Sequence, residues 1–301
     1  MKIIICDVGN AACAIVTASS GYTMMIDCGC HADKINPVET FKSYKEWLGA
    51  RDYVTQQMKS YPIALLHITH PDDDHVRNAI RIKNELTPYL LYKNEYESFS
   101  DGNTVNSDYV RELDKPYRGN NPEYINWGFN ANITTKIPVQ VCQSNINLKN
   151  KERNNSSILR YLKEDGLGIL FCGDLEKAGW DYLIEHEKDF ISEIKNNGVN
   201  VLVAPHHGHK SGFPTALFDA IGNVDVVIHS KDTEANKDGT DVSTQYSSHS
   251  NGCRYKSLND KHIYSGKVLT TRSNGNIYIA SESTGYTIWA DKASSNHQII
   301  C

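Results

Sequence analysis

Six separate apolar runs in this 301-residue chain stop at a side chain able to hold a metal: Asp7, Asp27, His70, Asp174, His206 and His229. A chain built only for packing would scatter such groups through loops and helix faces. Open α/β architectures instead gather functional groups where strands end, along one edge of a sheet. The recurrence predicts strands running into a shared polar edge, and it constrains the fold more than any single motif does.

The densest of these strand ends is Thr69-His70-Pro71-Asp72-Asp73-Asp74-His75, which carries five metal-competent side chains. It follows the apolar run 63–68, which reads as a strand covered on both faces. Neighbouring carboxylates repel and resist burial unless a cation makes their closeness favourable. The stretch therefore reads as a metal-binding loop. The competing reading is a solvated turn with Asp72 or Asp73 as a helix N-cap. His70, Asp72 and Asp74 can converge on one cation while Asp74 and His75 turn towards a second. Asp174 stands where it can bridge the two, and His206 can complete the second site. Two divalent ions about 3.5–4 Å apart would activate water and clamp both oxygens of an in-line displacement at phosphorus. Oxygen and nitrogen donors without cysteine suit one or two ions of Zn or Mn.

The chain is long enough to bury a substantial core as one large domain or two small ones. With 31 basic against 36 acidic residues its net charge of -5 argues against a general polyanion binder. A nucleic-acid substrate would have to be held by metal ions or by a local basic patch. Lys149, Lys151 and Arg153 form a basic run that reads either as a solvated loop or as such a patch, able to guide a phosphate backbone. No apolar run is long enough to span a membrane, and Asp7 cuts the first one short. The eight cysteines form no CxxC pair. The expectation is a soluble, cytoplasmic protein with no membrane partner.

Taken in order, residues 1–30 read as a three-stranded meander. Helical spacing follows over 37–48, with a second helix up to Met58. A helix is expected over 74–86 and strands over 88–92, 139–142, 157–162 and 168–172. Between them, 94–138 reads as an insertion over the site, with one helix around 107–113, because it lacks the apolar content for its own core. An amphipathic helix presents Leu175, Ala178, Tyr182 and Leu183. Strands over 201–204 and 224–228 flank a helix over 213–221. The tail reads as strands over 267–270, 276–280 and 286–290, with a turn at 273–275.

Together these motifs resemble the metallo-β-lactamase-fold hydrolases, and within them the C-terminal domain of ComEC-type competence proteins. The matching stretches are Asp7-Val8-Gly9-Asn10, Met25-Ile26-Asp27-Cys28-Gly29, residues 69–75, Asn154-Asn155-Ser156-Ser157, Phe171-Cys172-Gly173-Asp174, Pro205-His206-His207-Gly208-His209-Lys210-Ser211 and Thr271-Arg272-Ser273-Asn274-Gly275. The resemblance spans about residues 1–290 apart from the insertion. It implies one α/β domain over 1–301, a four-layer αββα sandwich with metals at its edge. It also implies His70, Asp72, Asp74, His75, Asp174 and His206 as ligands, with His207 and Lys210 at the substrate phosphate.

The chain departs from the superfamily in three places. Asp72 replaces the second histidine of HxHxDH, as in the competence branch, and makes the site harder and more anionic. No histidine lies between His75 and His186, so the third-motif histidine is missing. Ala11-Ala12 and Val76-Arg77-Asn78 replace residues usual in the branch. Since alternate residues of an extended segment point oppositely, His206 and His207 should not face the same way, and His206, directly after the strand, is the expected ligand. Asp7 and Asp27 are expected to orient ligands or to serve as turn residues rather than to bind. His67 is expected to be a packed strand histidine.

The leading expectation is a metal-dependent phosphodiesterase, a nuclease acting on DNA, with Asp74, His207 and Lys210 as catalytic groups. One alternative is hydrolysis of a small phosphodiester, ester or amide. Another is an idle metal-fold module binding a protein partner, or its own copies, in a bacterial defence assembly.

Overall fold

The computed structural model describes residues 1–94, 125–232 and 242–300. The chain opens with the antiparallel strands β1 (Lys2–Ile5), β2 (Ala14–Thr17) and β3 (Thr23–Ile26). Helix α1 (Pro37–Leu48) starts where the Asn36 side chain accepts the Val38 N–H at 2.9 Å, with Pro37 in the first turn, and stops at Gly49 in the left-handed conformation. A small hairpin follows, β4 (Tyr53–Val54) and β5 (Ser60–Tyr61). Next come β6 (Leu65–His67), the short helices α2 (Asp73–Val76) and α3 (Ala79–Leu86), and β7 (Leu90–Tyr92). The second half supplies β8 (Ala131–Thr135), β9 (Leu159–Glu164), β10 (Leu167–Phe171), β11 (Val201–Val203) and β12 (Val226–His229). Strands β13 (Cys253–Ser257), β14 (Ile263–Gly266), β15 (Val268–Thr270), β16 (Ile277–Glu282), β17 (Gly285–Ala290) and β18 (Gln298–Ile299) complete the chain.

These strands form two mixed sheets. The larger runs β18-β14-β13-β17-β16-β1-β2-β3-β6-β7 and the smaller β15-β12-β11-β10-β9-β8. Alternation along the strands divides the core into layers. Ile3, Ile5, Met24, Ile26 and Leu65 meet Ile169, Phe171, Val201 and Ile228 between the sheets. Ile4, Met25 and Leu66 point outward beneath Phe41 of α1 and Ile82 of α3. On the other flank Leu170 and Leu202 lie under Trp180, Leu183 and Ile194 of the helices Lys177–His186 and Lys188–Asn197. Each such apolar side chain contributes about 1.5–3 kcal/mol by its removal from water. The expected α/β sandwich of two sheets between helical layers is the architecture found, and its doubly covered strands explain the near-continuous apolar runs.

Several local expectations differ. The segment before Met58 is a hairpin rather than a helix. Tyr53 stacks on Tyr89 at 4.7 Å while Met58 is exposed, so no helical face is buried. Residues 139–142 are helical (Val139–Ser144) rather than extended: Val139 and Cys142, three apart, face the core. The helix expected over 74–86 breaks into α2 and α3 at Arg77 and Asn78, where the Asn78 N–H leaves to the Cys28 carbonyl at 3.1 Å. Part of the stretch read as an insertion is strand β8, which closes the smaller sheet against β9. The helix expected around 107–113 lies outside the described residues. The turn at 273–275 begins as a one-turn helix (Thr271–Asn274) that Gly275 ends.

Candidate metal centre

Parallel pairing of β10, β11 and β12 brings the ends of these strands to one edge, and β3 with β6 does the same in the facing sheet. At that edge one carboxylate is central. Asp174, just past β10, is buried, and its Oδ1 lies 3.1 Å from His75 Nε2 and 3.7 Å from His207 Nε2. Its Oδ2 lies 3.8 Å from His70 Nε2 and 3.6 Å from His206 Nε2. Asp74 Oδ2 is 3.3 Å from His207 Nε2. Asp74, His75, Asp174 and His207 each offer a donor atom, all within 4.8 Å of one another.

The backbone explains how both histidines of the 206–207 pair arrive. His206 and His207 adopt left-handed φ values of 50° and 54°, so the segment is coiled rather than extended and the alternation rule does not apply. It is His207 rather than His206 that joins the compact group, while His206 approaches Asp174 from the other side. Close backbone contact holds the loop below: a Cβ on Gly29 would lie 1.6 Å from the Asp74 carbonyl oxygen.

Each imidazole is aimed by a further contact. Asp27, itself at a positive φ of 56°, accepts the Thr69 N–H and hydroxyl, both at 2.8 Å, and the His75 Nδ1–H at 2.8 Å. His207 Nδ1–H donates to the Ser230 carbonyl at 2.7 Å. His206 Nδ1 lies 3.0 Å from Ser211 Oγ and 3.5 Å from Glu176 Oε1. Ser157 Oγ accepts the Asp174 N–H at 3.1 Å, and Asn154 donates to Glu176 at 3.1 Å. The region that lacks the third-motif histidine thus supports Asp174 and Glu176. Glu176, Ser211 and Ser230 escape sequence reading; the only trace of Glu176 is its spacing two residues after Asp174.

Asp72 bears on the competing reading of 69–75 in two ways. It occupies the N-cap position of α2, yet its side chain makes no capping hydrogen bond. Its Oδ2 turns to His70 Nε2 at 3.8 Å, and its Oδ1 meets Arg153 Nε at 3.3 Å. Lys210 is exposed beyond the His-His-Gly turn, and Asp7 pairs with Lys34 at 3.2 Å. His67 is a packed histidine: its Nδ1 accepts the Arg160 Nε–H at 3.0 Å, and its Nε2 faces the Ile158 carbonyl at 3.3 Å. His229 is fully buried against Tyr246, and His249 stacks on Phe218.

The electrostatics are those of a cation site. Burial would raise the Asp174 carboxyl, but His75, His207 and His70 hold it well below the usual carboxylate range. Burial would lower His75, but Asp174 and Asp27 hold it well above the ordinary imidazole value. His207 is raised in the same way, against burial, by Asp174 and Asp74. His70 is lowered by burial and by His75. The Nε2 atoms of His70, His75 and His207 are all buried without a hydrogen-bond partner, although carboxylates surround them. Orphaned ring nitrogens converging with carboxylates fit a divalent ion bound through nitrogen and oxygen, and a cation there would replace the protons of His75 and His207.

A model of the metallo-β-lactamase superfamily matches residues 6–278. The chain belongs to this superfamily. It is a metal-dependent hydrolase of that family with a His/Asp metal site. Among solved structures it is similar to an isothiocyanate hydrolase from Delia radicum gut bacteria, at 11% identity and a TM-score of 0.43 over 77% of this chain and 85% of that one. It is similar to Zn(2+)-bound PqqB from Methylobacterium extorquens, at 12% identity and 0.36 over 67% and 72%. It is also similar to a Cronobacter sakazakii metallo-β-lactamase with an HARLDQ motif, at 12% and 0.34 over 64% and 70%. These likenesses are too distant to add to the assignment, which rests on the family match. No curated protein matches the chain. Among the described residues, no helix is long and apolar enough to cross a membrane.

Proposed function

We propose that this hydrolase is a phosphodiesterase of the competence-type branch, a nuclease acting on DNA. Asp74, His75, Asp174 and His207 would hold one divalent ion, and His70, Asp72 and His206 would share Asp174 with another. When bound, the ions supply an activated water and polarisation of a phosphate oxygen. The observation that carries the substrate class is a guanidinium at the centre. Arg153, from the basic run 149–153, reaches Asp72 with about a quarter of its side chain exposed. An arginine there is matched in shape and charge to phosphate oxygens and is ill suited to a neutral lactam or ester. Asp72 in place of a histidine supports the same reading, because an extra carboxylate favours harder ions of the kind that handle phosphate.

In this reading the chain's own residues divide the work. Asp27 and the Ser230 carbonyl fix the His75 and His207 tautomers with Nε2 as the free donor. Arg153 orients the phosphate, and Lys210 neutralises charge that develops on it. The test is cleavage of single- and double-stranded DNA and of bis-p-nitrophenyl phosphate by protein loaded with Zn or Mn. Cleavage is expected for the wild type and a loss of at least about a hundredfold for Asp74→Ala. Intact DNA and diester in both cases would end the phosphodiesterase reading.

A further inference from the structure

Of the histidines at strand ends, His229 is the one that the metal centre leaves unused. It closes β12 and is fully buried, and neither of its ring nitrogens has a hydrogen-bond partner. Buried polar atoms are nearly always paired, so the place of this ring in the fold rests on its shape and on what it touches.

What it touches is the turn that carries His207. His206, His207 and Gly208 are consecutive left-handed residues, with φ of 50°, 54° and 82°. Such backbone is strained for residues with a side chain and persists where the surroundings over-determine it. One constraint is the His206 N–H, which donates to the Gly173 carbonyl at 3.0 Å, and a second is the His207 Nδ1–H on the Ser230 carbonyl at 2.7 Å. His229 supplies a third. A Cβ placed on Gly208 would lie 2.3 Å from His229 Nδ1 and 2.7 Å from its Cγ, so the Gly208 backbone rests directly on the imidazole. The ring is itself backed: Tyr246, in the helix Ser243–Ser248, packs edge-on against it at 4.9 Å, and Phe213 packs on Tyr246 at 4.8 Å. The Tyr246 hydroxyl is also buried without a hydrogen-bond partner, so this contact too is one of shape.

We infer that His229 is a positioning residue for His207: its ring, backed by Tyr246, is the floor that holds the left-handed turn with His207 Nε2 directed at Asp74 and Asp174. The inference rests on the reading of His207 as a metal ligand. Consecutive residues at the end of β12 then divide the task, the Ser230 carbonyl fixing the His207 ring and the His229 ring fixing the backbone beside it. An imidazole aimed in advance binds a cation without first losing conformational freedom, so removing the floor weakens metal binding beyond any loss of stability.

The test is Co(II) binding by the full chain, read as affinity in competition with a chelator and as the visible absorption of the bound ion. Urea midpoints of the metal-free protein are measured alongside. His229→Ala should bind the ion at His207 roughly 10–100-fold more weakly, with altered absorption. His229→Leu, which keeps the core filled without a flat ring, should show the same loss. Phe190→Ala removes a buried ring from the helix Lys188–Asn197; it should lower the urea midpoint and leave Co(II) affinity and absorption as in the wild type. Gly208→Ala should also weaken binding, but by a smaller factor in the His229→Ala background, where the added methyl enters the space of the missing ring. Wild-type affinity in a folded His229 variant, an equal loss in Phe190→Ala, or the same Gly208→Ala effect in both backgrounds would overturn the inference. A wild type that binds no Co(II) would overturn the metal assignment of His207 and the inference with it.

Discussion

The two oxygens of Asp174 face two differently built surroundings. Oδ1 meets His75 and His207, whose far nitrogens are anchored by Asp27 and the Ser230 carbonyl, with Asp74 closing the group. Oδ2 meets His70 and His206, but Asp72 on this side is already paired with Arg153, and His206 remains about a quarter exposed. The first surrounding is compact and pre-aimed, so a cation entering it requires little rearrangement. The second is wider and more open, and its carboxylate must release a guanidinium before it can bind. The contrast teaches that, in the proposed two-ion reading, the first side would hold the tighter ion and the second a weaker, more exchangeable one.

Removing the shared carboxylate should have the largest effect. Asp174→Ala is expected to abolish binding on both sides, bringing metal content to background and phosphodiester hydrolysis down by about a thousandfold or more. Elemental analysis beside a rate assay checks it, and retention of a full equivalent would show that the two sides do not share a ligand. The contrast itself is sharpened by His207→Ala and His206→Ala. The former should lose the tight ion, whereas the latter should keep one equivalent and lose only the weaker one. Equal losses would erase the distinction. Smaller again is Asp27→Asn, which keeps a side-chain acceptor but removes the charge behind His75. A 10–100-fold fall in metal affinity, roughly, is expected by titration against a competing chelator.

The smallest effect lies away from the site. Burial, and next to it Arg160, holds His67 well below the ordinary imidazole value of 6.5. The unfolded chain takes up a proton below that value which folded His67 refuses, so the contribution of His67 to stability falls as pH drops below 6.5 and is constant above it. His67→Gln, which can still accept from Arg160, should flatten the fall by up to about 1.4 kcal/mol per pH unit, read from urea midpoints in chelator.

Much of the fold was legible because its strands are covered on both faces, and runs such as 63–68 carry that in their composition. Strand β8 was not, since an edge strand buries little and has no apolar run to announce it. The role of Asp27 was legible from its position at a strand end. The His206 and His207 assignments were not, because the sequence rule assumes an extended backbone and these residues are left-handed. Glu176, Ser211 and Ser230 act through ordinary polar groups in ordinary contexts, so only the folded geometry reveals them.

The most direct test is a metal titration of the chelated protein, following bound metal by elemental analysis and bis-p-nitrophenyl phosphate hydrolysis in the same samples. The account predicts a tight first equivalent, a weaker second, and hydrolysis that appears as metal is bound and disappears again on chelation. Less than one equivalent bound, or full occupancy without hydrolysis of any phosphodiester, would contradict it.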